Sequence, residues 1–509
     1  MGQHLSRSSS QVEITQDAPA AQSIPNVQAA IGVPIAIGAA DASAIPSESC
    51  TLHISCDKVA VSAADAHTTT AMISVKAPDA EESSNRAPLD LVLAIDVSGS
   101  MRGSKMRLMK QTLELLVSRS GLTVADRIAL VTFDSRVQLR LPLTEMGADG
   151  RAQAKQIVST IEPGSTTNLS GGALRAIDVL AQDTVSSEGR TRSVLLFTDG
   201  LATDGIRDTP SLVSSVSNAL SAASATRGRI NLFTFGFGED HSDECLRALA
   251  EGSSGSMYYY VSTPETIPNA FADCLGGLVS VVAQNAVLTL TPVDGGATIR
   301  RVLGRAYVHA ADGSIELGDL YAQDEKDVLV ELELPALPTG PRSSHPVLHA
   351  SLRAFHVARS QSETVRAQLE IKRPAETPAD QPINIAIQVH LLRIEAAENI
   401  ETASSLADRG DLEAGREQLL QARRRIEESP AVRTPLGLAL SAEVDSLVEQ
   451  YRDRGRYSST GSKASKMSYM SHAQQRANHS NEGVYSGAKH RKLQMKASWS
   501  LAPVDSDEE

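Results

Sequence analysis

The chain reads as a doubly wound α/β domain set into, or followed by, an antiparallel β-sandwich, with a C-terminal helical bundle and disordered ends. Three observations carry this. Apolar strand-like runs alternate with helix-like ones between residues 89 and 279, which marks crossover units and a mainly parallel sheet. The hydrophobic period then falls to two between 286 and 371, as in half-buried antiparallel strands. From residue 383 a helical period returns.

Taken in order, residues 1–48 are rich in Ser, Ala, Pro and Gln without a usable period, and read as disordered. Leu52-His53-Ile54-Ser55-Cys56 and Ala71-Met72-Ile73-Ser74-Val75 alternate in the strand manner. These strands, within 50–80, are expected to join the sandwich, which makes the α/β domain at 88–280 an insertion. Within that domain the patterns predict strands at 89–96, 127–133, 193–198, 230–237 and 256–262, with an extended stretch at 136–143. Helices are predicted at 104–119, 148–160, 170–182, 210–226, 242–251 and 264–279. Leu93, Ile95, Ile128, Leu130, Val131, Leu195, Phe197, Leu232 and Phe235 are the expected core. The sandwich at 281–375 rests on runs such as 327–334, with Val328, Val330, Leu332 and Leu334 on one face, and 364–371, with Val365, Ala367, Leu369 and Ile371. A helical bundle is expected over 383–455, broken at Asp408-Arg409-Gly410-Asp411 and again between Pro430 and Pro435. Residues 456–509 read as a disordered basic tail with the acidic end Asp505-Ser506-Asp507-Glu508-Glu509.

Chemistry concentrates at strand ends. The buried-strand run Leu89–Ile95 stops at Asp96-Val97-Ser98-Gly99-Ser100, a carboxylate and two hydroxyls with a glycine between them. Ligands of parallel sheets gather past the carboxyl ends of the strands, and hard oxygen donors that leave positions open suit a small divalent cation. Gly164-Ser165-Thr166-Thr167-Asn168-Leu169-Ser170-Gly171-Gly172 is a polar loop opening a helix, with a hydroxyl at Thr166 or Thr167. Ser193–Thr198 is a second apolar strand, ending at Asp199-Gly200. A lone D-x-S-x-S is most often a polar turn; here three separate loops agree.

That constellation resembles the von Willebrand factor A domain and its metal-ion-dependent adhesion site. Position by position, the resemblance implies that Asp96, Ser98, Ser100, Thr167 and Asp199 form the metal shell, for Mg²⁺ or else Mn²⁺ or Ca²⁺. Thr167 is chosen because it directly precedes Asn168, as in the family pattern. Leu317-Gly318-Asp319-Leu320-Tyr321 followed by Glu325–Val330 is similar to the region after the A domain in plant ubiquitin ligases that join it to a RING finger. The RING's Cys/His cluster is absent from this sequence.

Composition narrows the function. A net charge of −13 argues against a general nucleic-acid binder. The four cysteines, Cys50, Cys56, Cys245 and Cys274, form no C-x-x-C pair, so neither a zinc finger nor a disulfide framework is expected. No secretory apolar core and no membrane-length run is present, which predicts a cytoplasmic protein. Gly99–Lys105 superficially evokes a phosphate loop, but its glycine spacing is wrong. No G-x-S-x-G elbow or H-E-x-x-H helix occurs, and no enzyme is expected. The acidic loop Glu239–Glu244 reads as a solvated helix start rather than a Ca²⁺ site.

The expected function is a scaffold that captures a partner's Asp or Glu carboxylate through the cation. The rival expectations are a substrate-recruiting component of a ubiquitin-ligase complex and an extracellular adhesion module. Met1-Gly2-Gln3-His4-Leu5-Ser6 fits the myristoylation pattern at Gly2. One acyl chain needs a second signal. Arg452, Arg454, Arg456, Lys463, Lys466, Arg476, Lys489, Arg491, Lys492 and Lys496 are expected to provide it on an anionic membrane, with interleaved serines as a phosphorylation switch.

Overall fold

Two strands precede the α/β domain, β1 (Thr51–Cys56) and β2 (His67–Lys76), and both find their partners outside it. They belong to a computed structural model that describes residues 49–79, 86–119, 122–185, 189–304, 308–309, 312–476 and 485. Gly2, the rest of 1–48, and the charged residues of the tail from Lys489 onward lie outside the described residues.

The inserted domain runs β3 (Leu89–Asp96), α1 (Ser104–Arg119), β4 (Arg127–Phe133), β5 (Val137–Glu145), α2 (Ala148–Ser159) and α3 (Leu169–Ala181). It continues with β6 (Thr191–Thr198), α4 (Thr209–Arg227), β7 (Asn231–Phe237), α5 (Asp243–Glu251), β8 (Tyr258–Val261) and α6 (Ile267–Leu278). The sheet order is β5-β4-β3-β6-β7-β8, parallel except where β5 runs against β4. Every residue of β3, β4, β6 and β7 is buried, because helices cover both faces of a parallel sheet. All nine expected core residues, from Leu93 to Phe235, are inside. Strand order reverses between β3 and β6, which makes their carboxyl ends the topological switch point where such sheets bind ligands.

The chain then returns to the sandwich with β9 (Val281–Pro292), β10 (Thr298–Val302), β11 (Val308–His309), β12 (Ile315–Tyr321), β13 (Glu325–Leu334), β14 (Arg342–His356) and β15 (Gln361–Arg373). One sheet is ordered β1-β2-β13-β10 and the other β11-β12-β9-β14-β15, all antiparallel. The register of β2 on β13 runs unbroken from Lys76↔Glu325 to His67↔Leu334. The α/β domain is therefore inserted between two hydrogen-bonded strands of one sheet. Ile73, Val75, Leu288, Val328, Val330, Leu332 and Leu352 form part of the core between the sheets.

Three helices follow: α7 (Ile385–Asp408), α8 (Leu412–Glu428) and α9 (Pro435–Gln450), N-capped by Asn384, Asp411 and Thr434. Gly410, at φ 99°, makes the break between α7 and α8, a conformation open to glycine and costly for other residues.

The tail departs from its expected disorder. After α10 (Arg454–Arg456) and a π turn at Tyr457–Gly461 comes α11 (Ser462–Gln474), almost wholly buried. Its polar side chains are inside because other parts of the fold satisfy them. Lys466 pairs with Asp408 at 2.9 Å and Asp243 at 3.2 Å. Beyond the helix, Arg476 pairs with Asp324 at 3.2 Å and lies 3.5 Å from the Tyr321 ring centre. In the other direction Arg393 of α7 donates to His472 O at 2.6 Å, and Lys326 of β13 to Gln475 O at 3.0 Å. Lys463, Lys466 and Arg476 are buried here, as are Ser462, Ser465, Ser468 and Ser471, so this stretch is not a solvated basic tail.

Candidate metal centre

Asp96 ends β3 and Asp199 directly follows β6, so the switch point brings two carboxylates to one edge of the sheet, both fully buried. The Asp96 carboxylate is fixed on both oxygens. Thr198 Oγ1 donates to Oδ2 at 2.6 Å, and the backbone N–H of Ser98 to Oδ1 at 2.7 Å. The second bond bends the chain into an Asx turn, which carries Ser98 and Ser100 back over the strand end. Their hydroxyls are 3.0 Å apart, and Ser100 Oγ donates to Asp199 Oδ1 at 2.7 Å.

Thr167 arrives from the third loop. Gly99 N–H donates to Ser165 O at 2.8 Å, and Asn168 N–H to Asp134 O at 3.0 Å, which pins that loop between the ends of β3 and β4. A β-carbon on Gly200 would stand 3.6 Å from Ser100 Oγ and 3.7 Å from Thr167 Oγ1. Both hydroxyls therefore border the space over Gly200. Thr166 is exposed and reaches Asp204 instead, at 3.4 Å. Asn168 N-caps α3, accepting from Gly171 N–H at 2.8 Å. Ser98 and Thr167 are buried, whereas Ser100 is exposed, so the cluster has one open side toward solvent.

Electrostatically the cluster is short of positive charge. Burial, with the Asp199 charge adding and the Thr198 and Ser98 hydrogen bonds opposing, pushes the Asp96 carboxyl up to about 6. Lys105, in the first turn of α1, places Nζ 2.6 Å from Asp199 Oδ2. Sequence reasoning passed over Lys105 as part of a failed phosphate loop, although it lies only five residues past Ser100. It also missed Asp134, a third buried carboxylate at a strand end, which accepts from Ser165 N–H at 3.3 Å. The signal for Asp134 was its place directly after the apolar run of β4. Two carboxylates and three hydroxyls, all hard oxygens around one partly open space, fit a small divalent cation. Among the described residues no group of three or more His, Cys, Asp and Glu offers an alternative metal site.

Residues 90–273 match the von Willebrand factor type A domain family. They form such a domain. The chain is 33% identical over 263 residues to E3 ubiquitin-protein ligase WAV3 of Arabidopsis thaliana, covering 50% of this chain and 32% of that protein. Inter-alpha-trypsin inhibitor heavy chain H1 of Homo sapiens is 33% identical over 171 residues, 33% of this chain and 18% of that one. The chain thus spans about a third or less of the length of these relatives. Among solved structures, a von Willebrand factor type A protein from Catenulispora acidiphila superposes with a TM-score of 0.64 at 16% identity. That likeness covers 85% of this chain and 97% of the other, so the shared fold extends well beyond the A domain.

Proposed function

We propose that this chain is a protein-binding scaffold whose A domain captures its partner through a divalent cation. The observation that carries the reading is the juxtaposition of Asp96, Ser98, Ser100, Thr167 and Asp199 at the switch point, open to solvent at Ser100. Asp96, Ser98, Ser100 and Thr167 would hold Mg²⁺, Mn²⁺ or Ca²⁺ directly or through water, and Asp199 through a bridging water. The cation supplies a positive centre that accepts a carboxylate oxygen from an Asp or Glu of the partner. A chain of net charge −13 otherwise repels acidic surfaces. Leu201, 56% exposed and two residues past Asp199, offers an apolar contact beside the rim.

Affinity capture from cell extract, run with Mg²⁺ and with chelator, tests this on the full chain. Partners should be retained by the wild type with Mg²⁺ and lost both with chelator and in the Asp96→Ala/Asp199→Ala variant. Chelator-insensitive partners shared by both proteins would contradict the reading.

The similarity to WAV3 favours a second reading, recruitment of substrate to a ubiquitin ligase whose catalytic subunit is another chain. A RING or U-box protein among the chelator-sensitive partners is its signature. Attachment to membrane through a myristoylated Gly2 belongs to the same proposal. Its electrostatic half now rests on the exposed Arg452, Arg454 and Arg456 together with Lys489, Arg491, Lys492 and Lys496, since Lys463, Lys466 and Arg476 are engaged in the fold. Equal membrane fractionation of wild type and Gly2→Ala would remove the anchor.

A further inference from the structure

The opposite edge of the A-domain sheet faces the sandwich across a cavity of about 400 Å³. Its walls carry four guanidiniums, Arg190, Arg192, Arg229 and Arg353, against one carboxylate, Asp319. The first three come from the starts of β6 and β7, and Arg353 and Asp319 from the sandwich strands β14 and β12.

These guanidiniums also meet partners within the fold. Arg190 shares Asp90 with Arg127. Arg192 donates to the carbonyls of Leu180 and Gly228 at the ends of α3 and α4. Arg229 reaches Glu316 at 3.3 Å and the Ser254 carbonyl at 3.0 Å, but its Nε–H is buried without a partner. Arg353 is exposed and interacts electrostatically with the Asp312 carboxylate. Asp319 is the one counter-charge in the wall, its two oxygens held by Asn231 Nδ2 and Asn285 N–H at 3.0 and 3.1 Å.

Like charges gathered around one cavity repel, and an anion between them relieves that repulsion. Guanidiniums present planar forks that match phosphate oxygens, and several of them suit a ligand with more than one negative charge. The volume suits a small organic molecule and lies at a domain interface, where such sites concentrate. Phe355 supplies an apolar wall. We infer that this cavity binds a small soluble molecule carrying two linked phosphates, which would bridge the A domain and the sandwich. The inference is independent of the cation site at the other edge.

Inorganic pyrophosphate, titrated calorimetrically into the full chain at constant ionic strength, is the direct probe. Saturable binding with a raised melting temperature, relative to chloride controls, is expected. Arg353→Glu should weaken it at least about tenfold while changing the ligand-free melting temperature little, because Arg353 and the Asp312 it interacts with are both exposed. Ser362→Asp, a new carboxylate on an exposed lining residue, should weaken it in the same direction. No stabilisation beyond chloride, or unchanged affinity in both variants, would overturn the inference. Binding to vesicles bearing a bisphosphorylated inositol lipid without binding to pyrophosphate would overturn the assignment to a soluble ligand.

Discussion

The two edges of the A-domain sheet handle charge differently: carboxylates gather at one, and carboxylates paired with guanidiniums at the other. At the carboxyl edge Asp96, Asp134 and Asp199 are buried among hydroxyls; at the amino edge Arg127 and Arg192 are buried, with Arg190 beside them. Helix polarity explains part of the division. In a doubly wound sheet the helix N-termini face the carboxyl edge and the C-termini the amino edge, so Asp96, Asp134 and Asp199, like Arg127 and Arg192, sit at the favourable pole. Arg192 on the last carbonyls of α3 and α4 is this effect in hydrogen bonds. The edges differ in how far they neutralise themselves. At the amino edge Arg127 is clasped by Asp90 at 2.7 Å and Asp183 at 2.6 Å, leaving a positive remainder only toward the sandwich. At the carboxyl edge a single partly exposed lysine faces three buried carboxylates. On the proposed reading, the amino edge mainly holds the fold together and the carboxyl edge keeps charge for a cation.

Breaking the amino edge should have the largest effect. Burial alone would raise the Asp90 carboxyl, but its hydrogen bonds to Arg127 and Arg190 outweigh that and hold it below the usual range. Asp90→Ala leaves two guanidiniums without their shared partner and should cost about 3–5 kcal/mol in urea denaturation. A loss below about 1 kcal/mol would mean that the edge is not the structural one.

Lys105→Met sharpens the comparison from the other side. Without its ammonium beside Asp199, repulsion of an incoming divalent cation falls, and Mg²⁺ affinity should rise about tenfold in calorimetry. Weaker binding would instead make Lys105 an organiser of the site.

Lys326, at the junction of sandwich and α11, extends the test to buried charge outside the sheet. Burial, reinforced by the Arg476 charge, pushes its ammonium down to about 7. Its folded value lies below its unfolded one, so its contribution to stability is complete above the ordinary lysine range and is lost as pH falls through about 7. Lys326→Met should flatten the stability profile between about pH 7 and 10. A slope equal to that of the wild type would assign the titration elsewhere.

The smallest effect is expected from Asp199→Ala in the absence of divalent cations. It removes a partly exposed ion pair and relieves repulsion on Asp96, so the change should stay within about 1 kcal/mol by denaturation.

These contrasts also show which features were legible in the sequence. Asp96, Ser98 and Ser100 lie within five residues on a strand end, so their grouping follows from local geometry. The runs at 52–56 and 71–75 read as strands, and their place in the sandwich follows from needing a second apolar face. Lys105 was harder, because its role depends on β6 bringing Asp199 alongside from 94 residues away. The helix at Ser462–Gln474 was illegible for a different reason. It has no apolar stripe, and its buried Lys466 and the neighbouring Arg476 are satisfied by Asp243, Asp408 and Asp324, which only tertiary folding assembles. The arginine cavity was hidden in the same way, its walls coming from two domains.

The central claim is that the carboxyl edge keeps its charge for a cation, and a Mg²⁺ titration of the full chain beside its Asp96→Asn/Asp199→Asn variant tests it most directly. The account predicts saturable one-site binding by the wild type, and none by a double variant that still melts cooperatively. Equal Mg²⁺ binding by the two proteins would contradict it.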